Sequence, residues 1–228
     1  MIRREVKMKL SDATLDVLKN FSNINQNILV KEGSKFRTMS TMKNILGEAN
    51  IGEVFPKEFG IYDLNEFLGV FSLTKDAELE FDNDSFLVVR SGRTKIKYFF
   101  SDPSILTTPP ETFNAPECDV SFAVTADTLS SVLKASAVMQ LPDVVFYGVP
   151  GATVKITTTD LKNTTSNEFT QELSENTTQE FKFHYKVDNL KMIPGDYDVS
   201  VSTEALVSNW KNSHKDISYW IALEQPSD

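Results

Sequence analysis

The chain has 228 residues, enough for one large domain or two small ones at roughly 100–200 residues each. With 40% hydrophobic and 11% aromatic residues it can bury a real core, which excludes a disordered chain. Its 23 basic and 32 acidic residues leave a net charge of -9, which argues against a freely binding, basic DNA-coating protein.

The charge is unevenly placed. Residues 1–110 carry 15 basic and 15 acidic side chains, whereas residues 111–228 carry 8 and 17, so the acidity belongs to the second half. Cys118 is the single cysteine and can form neither an internal disulfide nor a thiolate metal site. With only His184 and His214 besides, no metal and no other cofactor is expected, and the natural compartment is a reducing cytosol. The start, Met1–Lys7, is basic but leads into no long apolar run, so it does not read as a secretory signal. No segment approaches the roughly 18–20 apolar residues of a membrane span, so no membrane partner is expected.

In chain order, Val6, Met8 and Leu10 alternate with Lys7 and Lys9 as a short strand. Ser11–Ile24 then places Leu15, Leu18, Phe21 and Ile24 on one helical face, with Ser11 as the cap and Asp12 and Asp16 toward the positive end of the dipole. Asp63-Leu64-Asn65-Glu66 has capping-box spacing and opens into Phe67–Phe71. Phe86–Arg90 and Thr94–Tyr98 flank Ser91-Gly92-Arg93 as a hairpin. Thr125–Met139 predicts a second long helix, capped by Thr125. Val144–Tyr147 and Thr153–Thr157 form a second hairpin around Gly148–Gly151. Further strands are predicted at Phe181–Tyr185, Tyr197–Val201 and Ile217–Leu223, with a short helix at Asp188–Met192 stopped by Pro194-Gly195.

Met8-x-Leu10-Ser11-x-x-Thr14-Leu15-x-Val17-Leu18-Lys19 parallels Phe122-x-Val124-Thr125-x-x-Thr128-Leu129-x-x-Val132-Leu133-Lys134 with one residue inserted. A period near half the chain means two copies of one strand–helix–strands unit. Between them, four prolines in the 16 residues 101–116 make an extended connector. The expected division is a first domain over 1–100, a connector over 101–117 and a second domain over 118–228.

No nucleophile elbow, P-loop or dinucleotide fingerprint is present. His184 lies inside an alternating strand and reads as a satisfied, partly buried residue; His214 lies in a polar turn. Asp82/Asp84 and Asp196/Asp198 fall where turn chemistry accounts for them. Nothing here argues for an enzyme. Lys19 and Lys134 hold equivalent places on the two long helices, and Lys186 and Lys191 flank the last short one. Solvated lysines are one reading; a surface that meets phosphates is the other.

Met8-Lys9-Leu10-Ser11, Leu18-Lys19-Asn20-Phe21-x-x-Ile24-Asn25, Ile61-Tyr62-Asp63-Leu64-Asn65-x-Phe67-Leu68-Gly69, Asp102-Pro103-Ser104, Met192-x-Pro194-Gly195-x-Tyr197 and Ala222-Leu223-Glu224 resemble the sliding clamp of myovirus-type bacteriophages. The likeness runs from Met8 to Glu224 and weakens over 158–178. It implies an α+β DNA-clamp fold of two similar strand-rich domains, each with two helices. Three subunits would close into a homotrimeric ring around duplex DNA, loaded by a clamp-loader ATPase. The ring would tether the polymerase through that enzyme's C-terminal peptide and serve late transcription factors, in the cytoplasm of the infected host cell.

On this footing Lys9, Lys19, Lys134, Lys186 and Lys191 are expected to face DNA. Ile96, Tyr98, Phe99 and Phe100 are expected to meet Phe169 of a neighbour, edge to edge through segments 94–100 and 167–173. A partner pocket is expected from Ile105, Leu106, Leu223 and Pro226, with the alternative that Ile105 and Leu106 merely pin the connector. Two rival functions are an oligomeric virion or scaffold protein without DNA function and a hydrolase working through His184.

Overall fold

The structure is a computed structural model and describes residues 7–74 and 76–225. The chain forms two compact units, one ending at Glu111 and the other beginning at Thr112. The first unit runs β1 (Lys7–Met8), α1 (Asp12–Ile24), β2 (Ile28–Val30), β3 (Gly33–Met39), β4 (Ile45–Phe55), β5 (Phe59–Ile61), α2 (Leu64–Ser72), β6 (Glu78–Glu80), β7 (Phe86–Ser91) and β8 (Thr94–Phe99). β1, β6, β7 and β8 pair antiparallel in that order; β2 pairs with β5, and β3 with β4. The β7–β8 hairpin turns at Gly92, whose φ of 55° is the left-handed conformation that glycine adopts without strain.

Helix α1 forms where its period predicts. The Ser11 hydroxyl accepts the Thr14 N–H at 3.2 Å, a cap worth about 1 kcal/mol. The helix buries Thr14, Leu18, Phe21 and Ile24. Burying a phenylalanine such as Phe21 contributes about 1.5–3 kcal/mol. β4 comes close at Gly47, where an added Cβ would stand 3.0 Å from the Phe21 ring. Helix α2 starts at Asp63, whose carboxylate accepts the N–H groups of Asn65 and Glu66. It buries Leu64, Phe67 and Val70 and packs on α1.

The segment after β8 is a strap rather than a free linker. Ser101 bridges Gly60, Asp102 caps a 3-10 turn at Pro103–Ile105, and Leu106 is buried. The Thr107 N–H bonds the Asn27 side chain at 3.0 Å, and Asn25 donates to the Thr107 carbonyl at 3.1 Å. Arg37 donates to the Pro110 carbonyl at 2.8 Å. Prolines without N–H groups leave their carbonyls to be satisfied by side chains, and these asparagines and this arginine supply the donors.

The second unit runs β9 (Val120–Val124), α3 (Ala126–Met139), β10 (Asp143–Gly148), β11 (Thr153–Thr159), β12 (Phe169–Asn176), β13 (Phe181–Lys186), β14 (Tyr197–Ser202), β15 (Val207–Asn212) and β16 (Ile217–Ala222). One sheet orders β12-β11-β10-β13, and the other four strands pair β9-β14-β15-β16. Trp210 is fully buried, with the rings of Phe146 and Tyr185 at 5.8 Å and Tyr197 at 6.1 Å.

The strand-rich α+β reading holds, with one correction. The helix expected at Asp188–Met192 is a single 3-10 turn, Val187–Asn189, with no side-chain cap. Five residues ahead of Pro194-Gly195 are too few to repay helix nucleation. In the 158–178 region, β11 runs on to Thr159 and β12 begins at Phe169, with a register shift between Thr153 and Lys155. Val6 lies outside the described residues.

Candidate functional site

The lysines expected to face DNA do not share one environment. Lys19 projects from α1 into solvent and holds Asp16 at 3.2 Å, both well exposed. Such a pair contributes little and yields readily to another anion. Lys9 is exposed between β1 and α1. Lys134 stands on α3 at the rim of a groove of about 300 Å³ lined by Leu129, Leu133, Leu190, Met192 and Pro194. Leu190 and Met192 flank the exposed Lys191, so Lys134 and Lys191 belong to one surface. Lys186 is different. Its ammonium pairs with the buried carboxylate of Asp143, which also accepts the Leu161 N–H at 3.0 Å. Removing one member of such a pair strands a buried charge, so Lys186 has a structural duty that its position beside the other lysines concealed.

The N-termini of both long helices are closed by carboxylates from distant segments. Glu53 of β4 accepts the Ser11 N–H and the Thr14 hydroxyl. Partial burial works to raise its pKa, but these hydrogen bonds prevail and hold it below the usual value. Asp196 accepts the Ala126 N–H at 2.7 Å and bonds His214 Nε2 at 3.0 Å, and its pKa is lowered, chiefly by the Ala126 bond. Sequence reasoning missed both, because each carboxylate lies some forty or more positions from its helix.

The strands expected to meet a neighbour each end a sheet, β8 in the first unit and β12 in the second. On β8, Ile96 and Tyr98 are half-buried and Phe99 is 63% exposed. The Tyr98 ring meets Phe67 of α2 at 5.2 Å, and burial, followed by the nearby Glu66 and Asp63 charges, pushes its hydroxyl to a pKa of about 12. Phe100 turns toward its own unit instead, 4.9 Å from Phe59 with the Lys57 ammonium 5.2 Å from its ring. Phe169 opens β12 and is half-buried. Leu73 at the end of α2 and Val138 near the end of α3 are 76% and 83% exposed. Neither stood out in the sequence, because each continues an apolar helical pattern.

Of the residues expected to form a partner pocket, Ile105 is exposed and Leu106 is buried. A Cβ added to Gly60 would stand 2.8 Å from Leu106 Cδ1, so that leucine fills a space only glycine leaves. Leu223 is also buried, its N–H bonded to the Leu206 carbonyl at 2.8 Å. Pro226 lies outside the described residues. Beside the strap, Leu29, Ser34, Lys35, Arg37, Thr108 and Pro109 line a groove of about 290 Å³.

His184 is half-buried with Nε2 unpartnered, and burial followed by Lys182 lowers its pKa. Among the described residues no cluster of three His, Cys, Asp or Glu side chains could hold a metal ion, and no helix is long and apolar enough to cross a membrane.

Residues 9–106 match the family described as DNA polymerase processivity factor, and residues 121–225 match the C-terminal region of the gp45 sliding clamp. The chain is 34% identical to the sliding clamp of Vibrio phage KVP40 over 85% of this chain and 90% of that protein. It is 29% identical to the sliding clamp of Enterobacteria phage T4 over 96% and 98% of the two. Among solved structures, A. fulgidus PCNA bound to the C-terminal region of FEN-1 superposes with a TM-score of 0.74 at 16% identity, covering 98% of this chain and 99% of that one. The DNA polymerase III β subunit of Pseudomonas aeruginosa does so with 0.67 at 10% identity, covering 98% and 65%. At such identities these structures speak for the fold. The chain belongs to the phage sliding-clamp family, DNA polymerase processivity factors that are not enzymes.

Proposed function

We propose that three copies of this chain close head to tail into a ring that encircles duplex DNA and tethers the replicative polymerase by its C-terminal peptide. The supporting observation is that β8 and β12 each end a sheet while carrying half-buried apolar side chains, which suits pairing with a neighbour. A ring holds DNA by topology and needs only loose, base-indifferent interactions with phosphates, because tight ones would resist sliding. Lys9, Lys19, Lys134 and Lys191 supply these, and the partly engaged Lys186 contributes least. Loading by a clamp-loader ATPase and a role of the loaded ring with late transcription factors belong to the same reading, as does the cytoplasm of the infected cell.

The test is the double variant Lys19→Glu/Lys134→Glu. The fold and assembly should survive, processive synthesis should fall, and the salt slope of DNA association should drop by about 1 for each phosphate left without its lysine. Synthesis equal to wild type at every salt concentration would place these helices away from DNA. For the polymerase peptide the supporting feature is Ile105, held outward on a stiff Asp102-capped turn that Leu106 anchors from below. Ile105→Ala should weaken peptide binding by about 2 kcal/mol, as truncating an anchor does, without loosening the ring.

A further inference from the structure

We infer that charge on the two sheet edges dictates which edges join, so that copies pair only β8 to β12 and the resulting ring is opened by salt. This inference rests on the ring reading above and adds to it the rule by which subunits choose their orientation. From Gly92 to Phe100 the chain carries Arg93, Lys95 and Lys97 and no acid; from Glu168 to Asn176 it carries Glu168, Glu172 and Glu175 and no base. Each of these segments ends its sheet.

Strand alternation sorts each edge into two faces. On β8, Ile96 and Tyr98 share the face covered by α2, while Lys95, Lys97 and Phe99 share the other, with the Lys97 ammonium 4.3 Å from the Phe86 ring. On β12, Phe169, Gln171 and Leu173 share the more buried face, while Thr170 and Glu172 share the exposed one, with Glu168 in phase just ahead of the strand. Any register that joins the two covered faces therefore sets Ile96 and Tyr98 beside Phe169 and Leu173. It also sets Lys95 and Lys97 beside Glu168 and Glu172 on the outer face.

Self-pairing has the opposite consequence. β8 against β8 would crowd the lysines of two copies, and β12 against β12 would crowd their glutamates, and like charges directly opposite are destabilising. Only the unlike pair is favourable, and a contact between two different patches is the kind that generates a closed ring. Two neighbouring charges on these outer faces are already balanced within the chain: Arg90 is paired to Glu80, and Lys155 stands 3.5 Å from Glu172. Both members of the Lys155–Glu172 pair are at least half exposed, so Glu172 can share its charge with a neighbour's lysine.

The test measures the assembly of the full chain by sedimentation velocity and native mass spectrometry across salt, with thermal melting as the check on folding. Wild type should dissociate progressively as salt rises from about 0.05 M to 1 M, because screening shortens to a few ångströms. Lys95→Glu/Lys97→Glu and, separately, Glu168→Lys/Glu172→Lys should each weaken association about tenfold or more at low salt. The fourfold swap should recover most of it. Assembly that ignores salt, reversals that leave it intact, or a folded swap no better than the reversals would overturn the charge rule and leave the ring standing. A wild-type chain that is monomeric at every salt concentration would instead overturn the ring reading.

Discussion

Beside α1 in the first unit lies the nine-residue helix α2; the second unit offers α3 only the turn Val187–Asn189, and a groove of about 300 Å³ remains along the helix. Yet the strand, the capped helix and the sheet that follow one another in each half are the same. The difference traces to a few residues. Asp63 satisfies two N–H groups and is followed by Leu64, Phe67 and Val70 at helical spacing, whereas Val187–Asn189 has no side-chain cap and runs into Pro194. The second unit holds together through a different device, the aromatic cluster of Phe146, Tyr185, Tyr197 and Trp210. A repeated unit thus preserves the long helix and its sheet, while the second helix is replaceable once rings supply the buried area.

This comparison can be broken most forcefully at Trp210. Trp210→Ala should cost about 3–5 kcal/mol in urea unfolding, because its neighbours cannot close over the vacated space. A loss under 1 kcal/mol would mean that the cluster does not carry the second unit. Asp63→Ala should cost about 1 kcal/mol and shorten α2, with no counterpart available in the second unit. Its pH dependence has a definite sign. The Asp63 pKa is lowered, first by the Glu66 N–H, so the stabilisation is present above the ordinary carboxylate range and is lost as pH falls through the folded value. Wild type and Asp63→Ala should therefore converge in strong acid; a constant gap would assign the effect to something other than the charged cap.

Ser11→Ala and Thr125→Ala probe the feature the units share, and each should cost about 1 kcal/mol. Costs differing more than about threefold would show that Glu53 and Asp196 compensate unequally for the lost hydroxyl. The smallest effect is expected from His184. Its folded pKa is depressed, chiefly by burial, so the unfolded chain binds the proton more readily. Stability should hold steady above the ordinary imidazole value of about 6.5 and decline as pH falls below it. His184→Gln should flatten that decline in melting curves taken between about pH 7 and 5; an unchanged slope would place the titration elsewhere.

Local chemistry made much of this architecture legible. Ser11, Thr125 and Asp63 cap their helices where spacing placed them, and the hairpin turning at Gly92 pairs Ser91 with Thr94, because these features depend on residues only a few positions apart. The long strand Ile45–Phe55 escaped notice, since Gly47, Glu48, Asn50 and Gly52 interrupt its alternation and its burial depends on α1 packing above it. The candidate site divides along the same line. That Lys19 and Lys134 hold equivalent helix positions is written in the repeat. That Lys186 serves the buried Asp143, that Leu106 fills the space left by Gly60, and that β8 and β12 end their sheets are facts of tertiary structure. The first two join residues more than forty positions apart, and no periodicity can state which distant carboxylate, glycine or strand edge a side chain will meet once the chain closes on its core.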